Sequence, residues 1–275
     1  FLAALRGPRP PIQFSSPHAV ALGPGHLVAV ADGAGAAVHV IDLLDRTHVV
    51  VFGFGDERLG TPVGVAWVED GLFVTDAKRG EVIEFDAQGQ YRRRFGGSVL
   101  RRPVGLTYVA KRNQLYVVDG GAHCLAVFDL SGELVHTIGG PGVEPGLFNY
   151  PTHLCCAGDN LLVADSGNFR VQLLDLDGNC KRTIGQKGDG AGDFALPKGV
   201  ALDSKGHIYV VDAHFENVQV FDAQGQLLMV FGEEGRDLGQ FWLPAGLAID
   251  ADDRIWLADS GNRRLQVFQY IRTAS

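Results

Sequence analysis

Apolar residues in this chain gather in short runs rather than in helical stripes. Six runs end in aspartate: Leu27–Asp32, Leu72–Asp76, Leu115–Asp119, Leu161–Asp165, Ile208–Asp212 and Ile255–Asp259. They are nearly continuously apolar, as in Tyr209-Val-Val211 and Trp256-Leu-Ala258, which predicts strands buried on both faces. A proline followed by small and apolar residues precedes each, as in Pro62-Val-Gly-Val-Ala66 and Pro197-Lys-Gly-Val-Ala201. A third run follows the aspartate, such as Val218-Gln-Val-Phe-Asp222. The fourth closes on an aromatic or apolar residue plus glycine: Phe52-Gly53, Phe95-Gly96, Ile138-Gly139, Ile184-Gly185 and Phe231-Gly232. A Gly-rich loop then carries Phe148, Phe194 or Phe241 three places before the next proline. Gly, Asn, Asp and Pro separate the runs, so each unit predicts four short strands joined by turns.

The opening prolines, Pro17, Pro62, Pro103, Pro151, Pro197 and Pro244, stand 41 to 48 residues apart. A repeat of this length that cannot bury its own faces must stack on its neighbours. Gly and Ala crowd the first strand, which suits an innermost strand where units converge on an axis. The expected fold is all-β: a six-bladed β-propeller with four-stranded antiparallel blades. Unit six stops after Leu265-Gln-Val-Phe268, one strand short. Phe1–Gly7 precedes Pro17 as Val49–Gly55 precedes Pro62, and Phe14-Ser-Ser-Pro17 matches Phe194-Ala-Leu-Pro197. Residues 1–6 are therefore expected to supply the outer strand of the last blade, making 1–275 a single closed domain.

With 275 residues, two domains would be the default, but the repeat removes the need for a split. No run of 18 apolar residues exists, which excludes a transmembrane helix. The formal charge is -8, the reverse of a general nucleic-acid footprint. One basic cluster stands out: Arg92, Arg93, Arg94, Arg101, Arg102, Lys111 and Arg112, with no acid from Ala87 to Val118. Charged edge strands that block edge-to-edge pairing account for it; an anionic partner is the alternative. Cys124, Cys155, Cys156 and Cys180 show neither C-x-x-C nor metal-finger spacing, and they do not decide the compartment. The chain begins at Phe1 rather than Met, so an upstream segment, with any signal, is expected to precede it.

Asp165-Ser-Gly-Asn-Phe-Arg-Val-Gln-Leu173 and Asp259-Ser-Gly-Asn-Arg-Arg-Leu-Gln-Val267 resemble the NHL-repeat signature. So do the Pro-x-Gly-Val-Ala motifs and the linker Phe231-Gly-Glu-Glu-Gly-Arg-Asp-Leu-Gly-Gln-Phe241. The resemblance spans the chain and is most specific in units four to six; Asp32-Gly-Ala-Gly-Ala-Ala37 and Asp76-Ala-Lys-Arg-Gly-Glu81 depart from it. It implies a binding platform, seen variously with RNA, proteins or small ligands. Its bacterial-type members are commonly exported or lipid-anchored, which implies a periplasmic or extracellular location. In physical terms, the turn Asp should accept backbone N–H groups while Asn and Gly take left-handed dihedrals. The six aspartates are therefore expected to be structural.

Strands alternate direction, so the proline-opening loops and the Asp turns should share one face. That face should carry His18, Thr152, His153 and Lys198 near the axis, with His123 and His214 in the turns. Arg101 and Arg102 precede Pro103 and join them as candidate binding residues. Four histidines from different blades raise the possibility of a metal rim, but their spacing fixes no ligand set. No nucleophile elbow, H-E-x-x-H or phosphate loop occurs. Gly188-Asp-Gly-Ala-Gly-Asp193 and Asp175-Leu-Asp-Gly-Asn179 read as linker and hairpin turns rather than calcium loops. The expected function is a non-enzymatic, monomeric scaffold that recognises another protein, with a small ligand or glycan next in order and no cofactor. A metal-dependent hydrolase or lyase at the axial channel and an RNA-binding domain are the alternatives.

Overall fold

The computed structural model describes residues 12–270. Five four-stranded antiparallel sheets and one three-stranded sheet, each ordered as in sequence, form the six blades. The inner strands are Pro17–Leu22, Pro62–Val68, Pro103–Val109, Pro151–Ala157, Pro197–Leu202 and Pro244–Ile249, so every opening proline starts a strand. Proline is tolerated at a strand's first residue because no ladder bond needs its missing N–H. Blade six comprises Pro244–Ile249, Ile255–Asp259 and Arg264–Phe268. The strand expected at residues 1–6 lies outside the described residues.

Register confirms the assignment of loops to faces. Each proline pairs with the aspartate ending the next strand: Pro17 with Asp32, Pro62 with Asp76, Pro103 with Asp119, Pro151 with Asp165, Pro197 with Asp212 and Pro244 with Asp259. All six pairs therefore lie at one end of the ring, here termed the Pro–Asp face.

Inner strands contact one another all the way round, and the Pro244–Ile249 strand meets the Pro17–Leu22 strand. They approach so closely that a side chain two places past the proline meets the next blade. A Cβ on Gly64 would sit 2.2 Å from Val104 O, one on Gly199 2.5 Å from Ala245 O, and one on Gly246 2.6 Å from His18 O. The small-residue pattern of these strands thus reflects backbone contact at the axis. Hydroxyls add cross-blade bonds: Ser166 Oγ donates to Pro197 O and Ser260 Oγ to Pro17 O.

The core lies between blades. Leu162, Ala164 and Val171 of blade four pack with Phe194, Val200 and Ile208 of blade five. The linker phenylalanines Phe148, Phe194 and Phe241 are fully buried, each stabilising the fold by about 1.5–3 kcal/mol through lost apolar surface. Each covers a glycine with left-handed backbone: Gly139 (φ +76°), Gly185 (φ +77°) and Gly232 (φ +89°). A Cβ there would fall 2.4, 2.2 and 2.1 Å from the respective ring. Both the dihedral and the ring demand glycine.

Candidate binding face

The buried aspartates organise the face. Asp76 accepts N–H groups of Gly60 (2.6 Å) and Thr61 (2.9 Å) before its proline, and of Lys78 and Arg79 (both 3.1 Å) in its own turn. Asp119 does the same for Arg101 and Arg102 (2.7 and 2.9 Å) and for Gly121 and Ala122 (both 3.0 Å). Asp212 serves Ala195, Leu196, His214 and Phe215. In blade one, Asp32 holds Ser15, Ser16 and Gly35 N–H groups and lies beside His39. Burial opposes its ionisation, but the His39 contact and these N–H groups overcome it and hold its pKa down at about 2.

Blades four and six use the D-S-G-N-x-R-x-Q signature differently. Asp165 accepts Asn149 N–H (2.7 Å), Asn168 Nδ2 (2.9 Å), Arg170 Nε (2.8 Å) and Gln172 Nε2 (3.0 Å). Arg170 and Gln172 also donate to Leu147 O in the preceding linker. Asp259 repeats the set with Trp242, Asn262, Arg264 and Gln266. The signature is a buried network that pins the Gly-rich linker to its blade. One expectation is corrected: the asparagines are not the left-handed residues. That conformation falls one place later, at Ala36, Gly80, His123, Phe169, Glu216 and Arg263, in blades with and without the Asn, while Asn168 and Asn262 turn their side chains inward to the aspartate.

With both oxygens of Asp165 and Asp259 engaged, the N–H just before the proline that opens the same blade needs another acceptor. The preceding blade supplies it: Tyr150 N–H donates to His123 Nδ1 (3.2 Å) and Leu243 N–H to Glu216 (2.6 Å). Tyr150 (φ +45°) and Leu243 (φ +48°) are left-handed, an outlying conformation for bulky residues. Their side chains project outward: Tyr150 is 57% exposed, Leu243 48%, Trp242 41% and Leu196 37%. Tyr150 packs against His123 with ring centres 4.4 Å apart, and the Arg236 guanidinium lies 5.0 Å from the Trp242 ring. An apolar arc therefore crosses blades four to six on the Pro–Asp face.

The candidate residues fall into three groups. His123, Thr152 and His153 serve the frame. Thr152 Oγ1 donates to Lys198 O (3.0 Å) and lies 2.7 Å from Ser166 Oγ. His153 Nδ1 is 3.5 Å from Val200 N of the next blade, and burial lowers its pKa to about 4. His18 and Lys198, with Val63, Val104, Thr152 and Ala245, are the first residues past the prolines at the axial mouth. Burial lowers the pKa of both His18 and Lys198; the Lys198 charge depresses His18 further, although a bond from His18 Nδ1 to Ser16 O (2.8 Å) opposes this. His214, Arg101 and Arg102 are exposed at the rim. Among the described residues no three His, Cys, Asp or Glu side chains are grouped to hold a metal ion.

The basic cluster is neutralised by distant acids. Arg92 pairs with Asp70 (2.6 Å), Arg93 with Glu84 (2.6 Å), Arg94 with Glu57 (2.8 Å), Lys111 with Asp159 (2.6 Å) and Arg112 with Asp177 (2.6 Å). Only Arg101 and Arg102 of that cluster lack an ion pair among the described residues. Sequence reasoning missed Tyr150, Leu196, Trp242, Leu243 and Glu216. For the four apolar residues the one or two places before the proline were the available signal, since an apolar residue there has no strand to bury it; Glu216 carried none.

The NHL repeat matches residues 100–128 and 241–268, and a 6-bladed beta-propeller family matches residues 143–229. This chain is a six-bladed propeller that carries NHL repeats. The Drosophila melanogaster protein brain tumor is 30% identical over 135 residues, 46% of this chain. That match covers 13% of the relative's length. Among solved structures, an auxiliary nutrient binding protein from Bacteroides thetaiotaomicron superimposes with a TM-score of 0.73 at 14% identity, covering 93% of this chain and 69% of that one. Virginiamycin B lyase from Staphylococcus aureus superimposes with a TM-score of 0.65 at 10% identity, covering 95% of this chain and 88% of that one. At these identities the likeness is one of fold. Among the described residues no helix is long and apolar enough to cross a membrane.

Proposed function

We propose that this NHL-repeat propeller is a recognition scaffold that binds another protein through its Pro–Asp face. The observation that carries the reading is the apolar arc of Tyr150, Leu196, Trp242 and Leu243, exposed together across three consecutive blades. Exposed apolar groups gathered on one face suit protein contact, and Tyr and Trp contribute most to such interfaces. The backbone adds support. Tyr150 and Leu243 hold left-handed dihedrals that β-rich chains normally avoid, stabilised by acceptors from the preceding blade. Conformations of this kind persist only where the surroundings enforce them, and they gather at functional surfaces. The neutralised basic cluster weighs against RNA as the principal partner, because phosphate binding needs cations free to replace counterions.

The test compares captured partners for three forms of the protein: unaltered, Tyr150→Ser with Trp242→Ser, and Lys205→Ser with Asp252→Ser on the opposite face. Specific partners should be lost from the first double variant, kept by the second, and the melting temperature should stay unchanged in both. Equal capture by all three would sink the assignment of the face.

A further inference from the structure

Lys198 opens the inner strand of blade five and is half-buried at the axial mouth. Among the described residues its ammonium has neither an ion pair nor a hydrogen bond. The other first residues past the prolines give it no counterion: His18, Val63, Val104, Thr152 and Ala245. The carboxylates of the flanking turns bond to backbone and frame, and Glu216 acts on Lys198 through its charge without touching it. Asp212 holds four N–H groups, Asp165 and Asp259 hold the signature networks, Asp32 holds Ser15 and Ser16, and Glu216 holds Leu243 N–H. The Thr152 hydroxyl is engaged with Lys198 O and Ser166. Two blades round the mouth, the His18 Nδ1 proton goes to Ser16 O, leaving Nε2 as the unengaged ring nitrogen.

A cation taken partly out of water with no counterion in contact is costly, and an incoming anion recovers part of that cost. This one sits inside a chain of formal charge -8, on a face whose carboxylates are buried in the frame. The exposed apolar residues precede the opening prolines of blades four to six, on the same face. Leu196 lies two residues before Lys198 in the chain, and Tyr150 two before Thr152.

We infer that the axial mouth is an anchor for a carboxylate of the bound protein, with Lys198 as its counter-charge and Tyr150, Leu196, Trp242 and Leu243 receiving an apolar residue one or two places away. The carboxylate is an Asp or Glu side chain or a free C-terminus. The anchor rests on the reading of this face as protein-binding, and it predicts what that partner must present.

A random dodecapeptide library, fused to a carrier either through its C-terminus or through its N-terminus so that the C-terminal carboxylate is free, tests this directly. Selection on the unaltered protein should enrich an acid one or two places from an aromatic or aliphatic residue. Enrichment in both formats assigns the carboxylate to a side chain, and enrichment confined to the free C-terminal format assigns it to the terminus. A synthetic consensus peptide should weaken at least tenfold when its acid becomes the amide. That difference should vanish in Lys198→Met and Lys198→Gln and be kept in Lys198→Arg. Selected peptides that are apolar but carry no acid preference overturn the anchor while leaving the face intact. Peptides that bind Tyr150→Ser with Trp242→Ser as tightly as the unaltered protein overturn the face itself. Displacement of the peptide by inorganic phosphate at lower concentration than by acetate also overturns the carboxylate assignment, in favour of a phosphate site.

Discussion

Replacing Asp165 by Asn isolates what the NHL signature contributes. The substitution keeps the shape of the side chain, removes its charge and turns one acceptor into a donor. Asp165 is fully buried and accepts from Asn149, Asn168, Arg170 and Gln172 at 2.7–3.0 Å. In the variant an amide NH2 faces N–H donors on at least one side, and Arg170 loses its buried counterion. Breaking a buried ion pair by removing one partner costs about 3–5 kcal/mol, and hydrogen bonds to charged groups contribute about 1.5–3 kcal/mol each. Arg170 retains the carbonyls of Glu144 and Leu147, which keeps the expected loss near about 3–4 kcal/mol. That is a large share of a typical domain's stability. Urea unfolding measures the total, and amide hydrogen exchange should show the linker around Glu144–Phe148 opening first, since Gln172 and Arg170 no longer hold it. Arg170→Gln and the double variant complete a cycle in which the two losses are less than additive. A cost under about 1 kcal/mol, or simple additivity, would refute the view of the signature as a buried network.

Three further outcomes follow from particular contacts. Burial holds the His153 imidazole at about 4 against an ordinary 6.5, so as pH falls from 6.5 to 4 the unfolded chain takes up a proton that the folded chain refuses. Stability should drop over that window by up to about 3 kcal/mol, with no contribution above it; pH-dependent urea midpoints should flatten in His153→Gln, and unchanged slopes would count against it. Gly199→Ala places a Cβ 2.5 Å from Ala245 O and should lower stability by about 1–3 kcal/mol through overpacking at the axis, as thermal melting will show. Ser260→Ala removes the bond to Pro17 O that joins blade six to blade one; exchange protection should fall in the Pro17–Leu22 strand, with a loss of about 1–3 kcal/mol.

Much of the architecture is legible along the chain because its causes are local. A proline at each strand start, an aspartate at each turn and nearly unbroken apolar second strands name the blades, their number and the end at which Pro17 and Asp32 and their equivalents meet. Direction alternates from strand to strand, so the face carrying His18 and Lys198 follows from counting. What binds what across blades is another matter. The arginines at 92–94 look unopposed in sequence, yet Asp70, Glu84 and Glu57 reach them from elsewhere in the fold. His123 has the look of a free ligand but accepts the Tyr150 N–H, and His153 and Thr152 bridge to the neighbouring blade. Tyr150 and Trp242 pass as ordinary core aromatics until the left-handed and linker backbone turns them outward. The division has a physical basis. Strand period and turn chemistry are properties of a few adjacent residues, whereas exposure and charge pairing depend on which neighbouring blade closes over each side chain.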